Sequence, residues 1–230
     1  VPVFDSKMWV MGGETSPGGT RVNDVWYSTD GIDWTAATNS ALWTGRGNIM
    51  SVVFDSKIWV IGGNIDTVTH LNDVWWTTDG VDWTAATNNG QWVARQEHRS
   101  LVFDNKMWII GGFASNWAND VWYSTNGVNW TQATAAAQWG GRTGLGTLVF
   151  DSKIWVFGGS TGSRQNDVWY STDGVDWTQA TGNAAFSGRD NKVALVYDNQ
   201  IWVLGGRASG VHLNDVWVMD TEAVKTKTFV

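Results

Sequence analysis

The sequence predicts an all-β protein: a five-bladed β-propeller with four-stranded antiparallel blades. Equivalent aromatic residues recur about every 47–50 residues, which is the period of a propeller repeat: Phe4, Phe54, Phe103, Phe150 and Tyr197. Segments rich in Val, Ile, Trp, Tyr and Thr alternate with Gly, Asn, Asp and Ser, and no stretch has a helical apolar period. A single domain over 1–230 follows, with repeats of approximately 1–46, 47–95, 96–142, 143–189 and 190–230.

Each repeat is predicted to form four strands, named a to d in chain order. The turn from a to b is an Asp-Ser or Asp-Asn pair suited to a tight hairpin, as at Asp5-Ser6 and Asp104-Asn105. Strand b ends in a glycine pair, as at Gly12-Gly13, which permits positive φ and a close approach of neighbouring backbone. Strand c opens on Asn-Asp, as at Asn23-Asp24. In the last repeat, residues 220–230 are predicted to form a strand d without the tryptophan of the other copies.

The hairpin from c to d carries two aspartates in the first copy, STDGIDW from Ser28 to Trp34, a spacing that could suggest calcium. The third copy has Asn126 and Asn129 at these positions. Asparagine keeps the side-chain oxygen that caps a turn but loses the charge that a calcium site requires. The sequence therefore predicts structural turns, with no metal site and no cofactor.

Composition excludes several classes of function. The net charge of −7 argues against a nucleic-acid partner, because such proteins usually need a basic surface. The absence of cysteine excludes disulfides, thiolate metal sites and a cysteine nucleophile. No run of about 18 apolar residues exists, so no membrane insertion is predicted, and no signal peptide is recognisable. All of the 19 tryptophans except Trp76 and Trp117 fall at repeated positions, so they are interpreted as packing residues.

The repeated features together resemble a known family. The glycine pair after strand b, the aromatic in strand c and the second tryptophan in strand d, as at Gly158-Gly159, Trp169 and Trp177, resemble the kelch repeat over nearly the whole chain. The hairpin from c to d also resembles a shortened Asp box of sialidase-like propellers. The kelch resemblance implies a propeller with strand a nearest the central channel, and most often a binding role. It also favours a secreted or cell-surface bacterial protein.

Function is predicted at one end of the blades. In an up-and-down blade the a–b and c–d turns lie at one end, and the b–c and d–a loops lie at the other. The turns are nearly identical between copies, whereas the loops hold most of the differences and all of the arginines. Arginine suits bidentate capture of carboxylates, sulfates or phosphates. The arginines that follow the loop aromatics are nevertheless interpreted as partners of neighbouring strand c aspartates: Arg46, Arg95, Arg142 and Arg189.

The nonrepeated loop residues are the predicted ligand-binding residues: Glu97, His98, Arg99, Trp117, Arg164, Lys192, Arg207 and His212. The sequence predicts a monomeric, non-catalytic binding module for a protein or a glycan, with an anionic ligand as one option. A sialidase-like enzyme is an alternative, but its tyrosine is missing from the loops, and Glu97 with His98 is the only adjacent acid and base there. A structural segment of a longer repeat array is a third interpretation.

Overall fold

The computed structural model describes residues 1–220 and 225–229, with side chains as far as Met219. The chain divides into two compact units: 1–107 with 123–131, called the first unit, and 108–122 with 132–230, called the second unit. The described residues form twenty strands, and no helix among them is long and apolar enough to cross a membrane.

The strands form five four-stranded antiparallel sheets, each with its strands in chain order, which confirms the five-bladed β-propeller fold class. The first sheet contains β1 (Val3–Phe4), β2 (Lys7–Glu14), β3 (Arg21–Ser28) and β4 (Thr35–Thr38). The second contains β5 (Met50–Phe54), β6 (Lys57–Asn64), β7 (His70–Thr77) and β8 (Thr84–Thr87). The third contains β9 (Arg99–Phe103), β10 (Lys106–Ile110), β11 (Val121–Ser124) and β12 (Thr131–Thr134). The fourth contains β13 (Gly146–Phe150), β14 (Lys153–Ser160), β15 (Arg164–Ser171) and β16 (Thr178–Thr181). The fifth contains β17 (Val193–Tyr197), β18 (Gln200–Ala208), β19 (Val211–Asp220) and β20 (Lys225–Phe229).

The predicted a–b hairpins are confirmed in all five sheets. Both turn residues have positive φ, 50° at Asp5 and 54° at Ser6 in the first sheet, and the same conformation recurs at each equivalent pair. Two consecutive positive-φ residues match the twist of the flanking strands, which is why Asp, Asn and Ser occupy these turns.

The tryptophans of the b strands explain the glycine of the c–d hairpins. Trp9 is buried, and a Cβ atom at Gly80 in the next repeat would overlap its ring. Trp59 contacts Gly127 in the same way within the first unit, and Trp108 contacts Gly174 within the second. The hairpin glycine is therefore required both by its positive φ and by the aromatic ring packed against it.

The c–d hairpins are capped by the first of their two Asp or Asn side chains. Asp30 Oδ1 accepts hydrogen bonds from the backbone N–H groups of Ile32 at 2.8 Å and Asp33 at 3.0 Å. These two bonds hold the pKa of the Asp30 carboxyl below its usual value. Asn126 Oδ1 accepts the equivalent two bonds at 2.9 Å each. Because aspartate and asparagine cap the turn identically, the structural interpretation of these hairpins is confirmed.

We expect a chelator to leave the melting temperature unchanged. Asn126 makes the turn without a charge, and no group of three or more His, Asp or Glu side chains among the described residues is arranged to hold a metal ion. The measurement is thermal unfolding with and without EDTA at constant ionic strength. A fall of several degrees with EDTA would show that a cation stabilises the fold.

The last strand is only partly described. The predicted strand within 220–230 is confirmed for β20, which pairs with β19 from Val216↔Phe229 to Asp220↔Lys225. Residues 221–224 and 230 lie outside the described residues.

Candidate functional site

In four of the five sheets the b and c strands extend beyond the glycine pair, further than the sequence predicted. In the first sheet the register shifts between Met11 and Gly13, and the strands then pair again as far as Glu14↔Arg21. Such a bulge turns the following residues away from the direction of the main ladder. The residue directly after the glycine pair is paired, in every repeat, with a residue that precedes the Asn-Asp dipeptide. We call this the rim pair: Glu14↔Arg21, Asn64↔His70, Phe113↔Trp117, Ser160↔Arg164 and Arg207↔His212.

The Asn-Asp dipeptide next to each rim pair has a structural role. Asn23 Nδ2 donates to the carbonyl oxygens of Ala41 at 2.7 Å and Trp43 at 3.1 Å, so it fixes the loop after strand d. The same two bonds recur at Asn72, Asn119 and Asn166. The backbone beside the variable rim-pair residues is therefore fixed by asparagine side chains that recur in the repeats.

The aspartate of the dipeptide binds an arginine from the preceding repeat. In the first unit the Arg46 guanidinium forms a bidentate ion pair with Asp73, at 2.5 and 2.8 Å. In the second unit Arg142 pairs with Asp167 at 2.6 and 3.0 Å, and Arg189 pairs with Asp215 at 2.6 and 2.7 Å. These three arginines are almost fully buried. Their predicted role between adjacent repeats is confirmed, and their guanidinium groups are engaged internally.

Four of the sequence-predicted residues lie on a connected part of the second unit. Trp117 is 47 % exposed, and a Cβ atom at Gly162 would lie 2.9 Å from its ring, so the indole rests on the next b–c loop. Two residues beyond Gly162, Arg164 Nε lies 2.9 Å from Asp190 Oδ2. Asp190 exchanges backbone hydrogen bonds with Arg207, which pairs across the ladder with His212. We call these five residues the second-unit rim: Trp117, Arg164, Asp190, Arg207 and His212.

Lys192 does not belong to this exposed surface. It is 4 % exposed, and its ammonium donates to the carbonyl oxygen of Arg189 at 3.1 Å. It lies three residues after the loop arginine, where the preceding repeat has the fully buried Leu145. The position is thus a core position of the repeat, and the Lys192 side chain cannot reach a ligand on the surface.

The predicted residues of the first unit are arranged differently. Glu97 has a φ of 52°, like Asn48 at the equivalent position, so its place in the loop is set by a left-handed backbone. Arg99 is half-buried in β9, with Nη1 3.8 Å from Met50 Sδ and 3.4 Å from the His98 carbonyl oxygen. His98 is fully buried. Its imidazole therefore offers no proton acceptor at the surface, and Glu97 with His98 does not form an exposed acid and base.

His98 occupies the same core position as Leu145, and this creates a buried polar group. Its ring lies 5.9 Å from the ring of Trp92, and both ring nitrogens lack a hydrogen-bond partner in the described structure. Burial, together with the positive charges of Arg95 and Arg99, lowers the pKa of His98 to about 3. The imidazole is consequently neutral in the folded protein at all pH values above this.

We expect His98 to make stability fall in mild acid. The pKa of His98 is about 3 in the folded state and 6.5 in the unfolded state, so protonation favours the unfolded chain. The free energy of unfolding therefore keeps its full value above pH 6.5 and falls by roughly 1 kcal/mol per pH unit as the pH decreases from 6.5 towards 3. His98→Leu should remove this slope and stabilise the protein by about 1–3 kcal/mol at pH 7, because no unpaired nitrogens remain buried. Urea unfolding of both proteins at pH 7 and pH 5 measures the effect. The same loss between pH 7 and pH 5 in both proteins would contradict the assignment.

Comparison with known proteins identifies the family of the repeats. Residues 1–181 match the family model described as the KLHDC2/KLHL20/DRC7 Kelch-repeats domain. Residues 188–229 match the Kelch motif. The chain therefore belongs to the kelch-repeat family, whose domains are generally non-catalytic interaction modules. No curated protein matches the chain at a significant level.

Proposed function

We propose that the chain is a protein-binding module and that the second-unit rim is its recognition surface. Kelch-repeat propellers commonly serve as protein-interaction modules. One observation carries the assignment to this surface: the residues shared by the repeats are used in internal contacts, and the residues that differ lie beside them at the rim pairs. A rigid scaffold that holds variable side chains at its loop ends is well suited to recognition.

The rim residues have the chemistry of an interface centre. Tryptophan and arginine are the residue types that most often dominate protein interfaces, since they combine a large contact area with directed hydrogen bonds. Trp117 supplies the exposed aromatic surface, and Arg207 is exposed. Two arginines against the single carboxylate of Asp190 make this surface locally positive in a chain whose net charge is −7. A partner segment with an acidic group would fit it.

A glycan is the second candidate ligand. The exposed indole of Trp117 offers an apolar face on which a sugar ring could stack. A glycan array would detect this activity independently of protein partners. Whichever ligand binds, the bacterial cell-surface location and the monomeric state are hypotheses from the sequence.

We expect substitutions at the rim to weaken binding about tenfold or more without unfolding the protein. The chain provides matched replacements: Arg207→Ser introduces the residue of Ser160 at the same rim position, and Trp117→His introduces that of His70. Peptides selected from a displayed random library on the wild-type protein are the probe, and affinity is measured at low and high salt. The salt dependence should diminish in Arg207→Ser.

The control is Lys153→Ala, which removes a charge from the opposite end of the blade, where Lys153 pairs with Asp151 at 2.7 Å. We expect the control to bind the selected peptides like the wild type. Peptides whose binding survives both rim substitutions but is lost in Lys153→Ala would place the recognition surface on the turns instead.

A further inference from the structure

The sheet of the first repeat has an apolar face that the described residues leave exposed. In β2, Trp9 packs into the core that the first repeat shares with the second, so its neighbour Val10 lies on the opposite face. Val10 is 39 % exposed, whereas the equivalent Val60 is fully buried. Trp34 is 38 % exposed, whereas the equivalent Trp83 is 2 % exposed. Because Val60 and Trp83 belong to one buried cluster, Val10 and Trp34 lie on one face of their own sheet.

The second repeat shows which groups cover this face. The Trp83 ring meets the ring of Trp43, from the loop of the preceding repeat, edge to face at a centroid distance of 5.8 Å. Three residues after Trp43, the Arg46 guanidinium binds both oxygens of Asp73 and donates to the Gly62 carbonyl oxygen at 3.2 Å. An aromatic residue and an arginine three positions later therefore cover the face together.

The fourth repeat has the same arrangement within the second unit. Trp139 meets Trp177 edge to face, and Arg142 binds both oxygens of Asp167. Gln138 adds a further contact, since its Oε1 accepts a hydrogen bond from the backbone N–H of Trp177 at 2.8 Å. The segment from Gln138 to Arg142 thus contacts the ring, the backbone and the carboxylate of the face that it covers.

Asp24 is the acid of the first repeat that corresponds to Asp73. It is half-buried, and its Oδ2 accepts a hydrogen bond from the Trp26 indole at 2.8 Å, as Asp73 Oδ2 does from Trp75. Within the part of the chain that the structure describes, no arginine or lysine pairs with Asp24. Its carboxylate is therefore held as in the repeats that bind an arginine, and it remains accessible to one from outside.

The hairpin glycine of the first repeat is uncovered as well. A Cβ atom at Gly31 would meet only Met8 of the same repeat, at 3.3 Å, whereas one at Gly80 would overlap the Trp9 ring of the preceding repeat. An exposed apolar patch next to a carboxylate is typical of an interaction surface. We call four residues the first-repeat face: Val10, Asp24, Gly31 and Trp34.

We propose that the first-repeat face binds a segment of a partner polypeptide that carries an aromatic residue three positions before an arginine. The arginine binds Asp24 through both arms of its guanidinium, and the aromatic ring packs edge to face on Trp34. A second folded copy of the chain does not present such a segment, because its four loop arginines are almost fully buried. The first-repeat face is additional to the second-unit rim and does not require it.

The probe is a synthetic peptide with the sequence of residues 135–145, AAAQWGGRTGL. Its affinity for the whole protein is measured by isothermal titration calorimetry. We expect the peptide to bind, and we expect Trp139→Ala or Arg142→Ala in the peptide to weaken binding about tenfold or more. Asp24→Asn in the protein should cause a similar loss for the parent peptide. The Arg142→Ala peptide should bind Asp24→Asn and the wild type alike, because the two changes remove the same contact.

Asp33→Asn is the matched control. It removes one carboxylate from the exposed hairpin of the same repeat and introduces the residue that Asn129 provides in the third repeat. We expect this variant to bind the peptide like the wild type. Equal losses in Asp24→Asn and Asp33→Asn would indicate a general effect of charge and would overturn the inference. A peptide that does not bind the wild type at millimolar concentration would also overturn it.

Sedimentation velocity tests whether a second copy covers the face instead. We expect the wild type and Asp24→Asn to sediment alike at every protein concentration. A dimer that forms as the concentration rises and is lost in Asp24→Asn would place a second copy on the first-repeat face, and this result would overturn the assigned partner.

Discussion

Replacement of Trp177 by alanine is expected to lower the free energy of unfolding by about 3–5 kcal/mol, the usual cost of truncating a buried tryptophan. Trp177 is 5 % exposed, and its ring meets that of Trp139 edge to face at a centroid distance of 5.7 Å. Its indole N–H donates to the Gly174 carbonyl oxygen at 3.3 Å. The substitution would remove an aromatic contact and leave a cavity within the second unit.

Trp117→Ala is the matched control in the same unit. Its side chain is 47 % exposed and lies on a loop, so we expect a change within about 1 kcal/mol. Chemical denaturation of the wild type and both variants gives the comparison. Equal losses for the two tryptophans would refute the distinction between repeated packing residues and the exposed rim.

Arg142→Ala is expected to have an effect of similar size, about 3–5 kcal/mol, because it would leave a buried carboxylate without its counter-charge. Asp167 is 9 % exposed and receives both arms of the guanidinium. Arg142 also donates to the carbonyl oxygens of Gly140 at 2.9 Å and Gly158 at 3.1 Å. A single side chain thus joins the end of one repeat to strands b and c of the next.

Lys153→Ala provides the comparison for an exposed ion pair. Its partner Asp151 has a side-chain exposure of 67 %, and such pairs contribute about 0–1 kcal/mol. Urea unfolding under identical buffer conditions measures both variants. If Arg142→Ala were as stable as Lys153→Ala, the buried arginines would not hold adjacent repeats together.

The features predicted from the sequence are those imposed by repetition. The hairpin turns, the glycine pairs and the partnership of the loop arginines with strand c aspartates follow from residue types that recur in a fixed order. A residue type that recurs at one position of every repeat has the same role in each, and the known preferences of turn residues indicate that role. The Arg46–Asp73 pair is predictable from the sequence in this way.

The candidate site is harder to predict, because a residue that is not repeated between the copies need not be exposed. His98 and Lys192 are nonrepeated in identity, but their position in the repeat is that of Ile49 and Leu145. Counting three residues from the loop arginine would have placed both in the core. Asp190 carried no comparable signal. Its 2.9 Å contact with Arg164 joins two nonrepeated residues, and a sequence pattern does not encode which of these meet.

Each b–c loop joins the two residues of one rim pair, and this pair determines how freely the loop can change length. The Glu14↔Arg21 pair is joined by residues 15–20, whereas the Phe113↔Trp117 pair is joined by residues 114–116 alone. Both loops end at the same position of the repeat, because the Asn of the following Asn-Asp dipeptide is held by its own hydrogen bonds to the loop after strand d. Foreign segments inserted at 115–116 or 162–163 should therefore be accommodated without shifting the strands, which makes these loops natural points for grafting new sequences onto the scaffold.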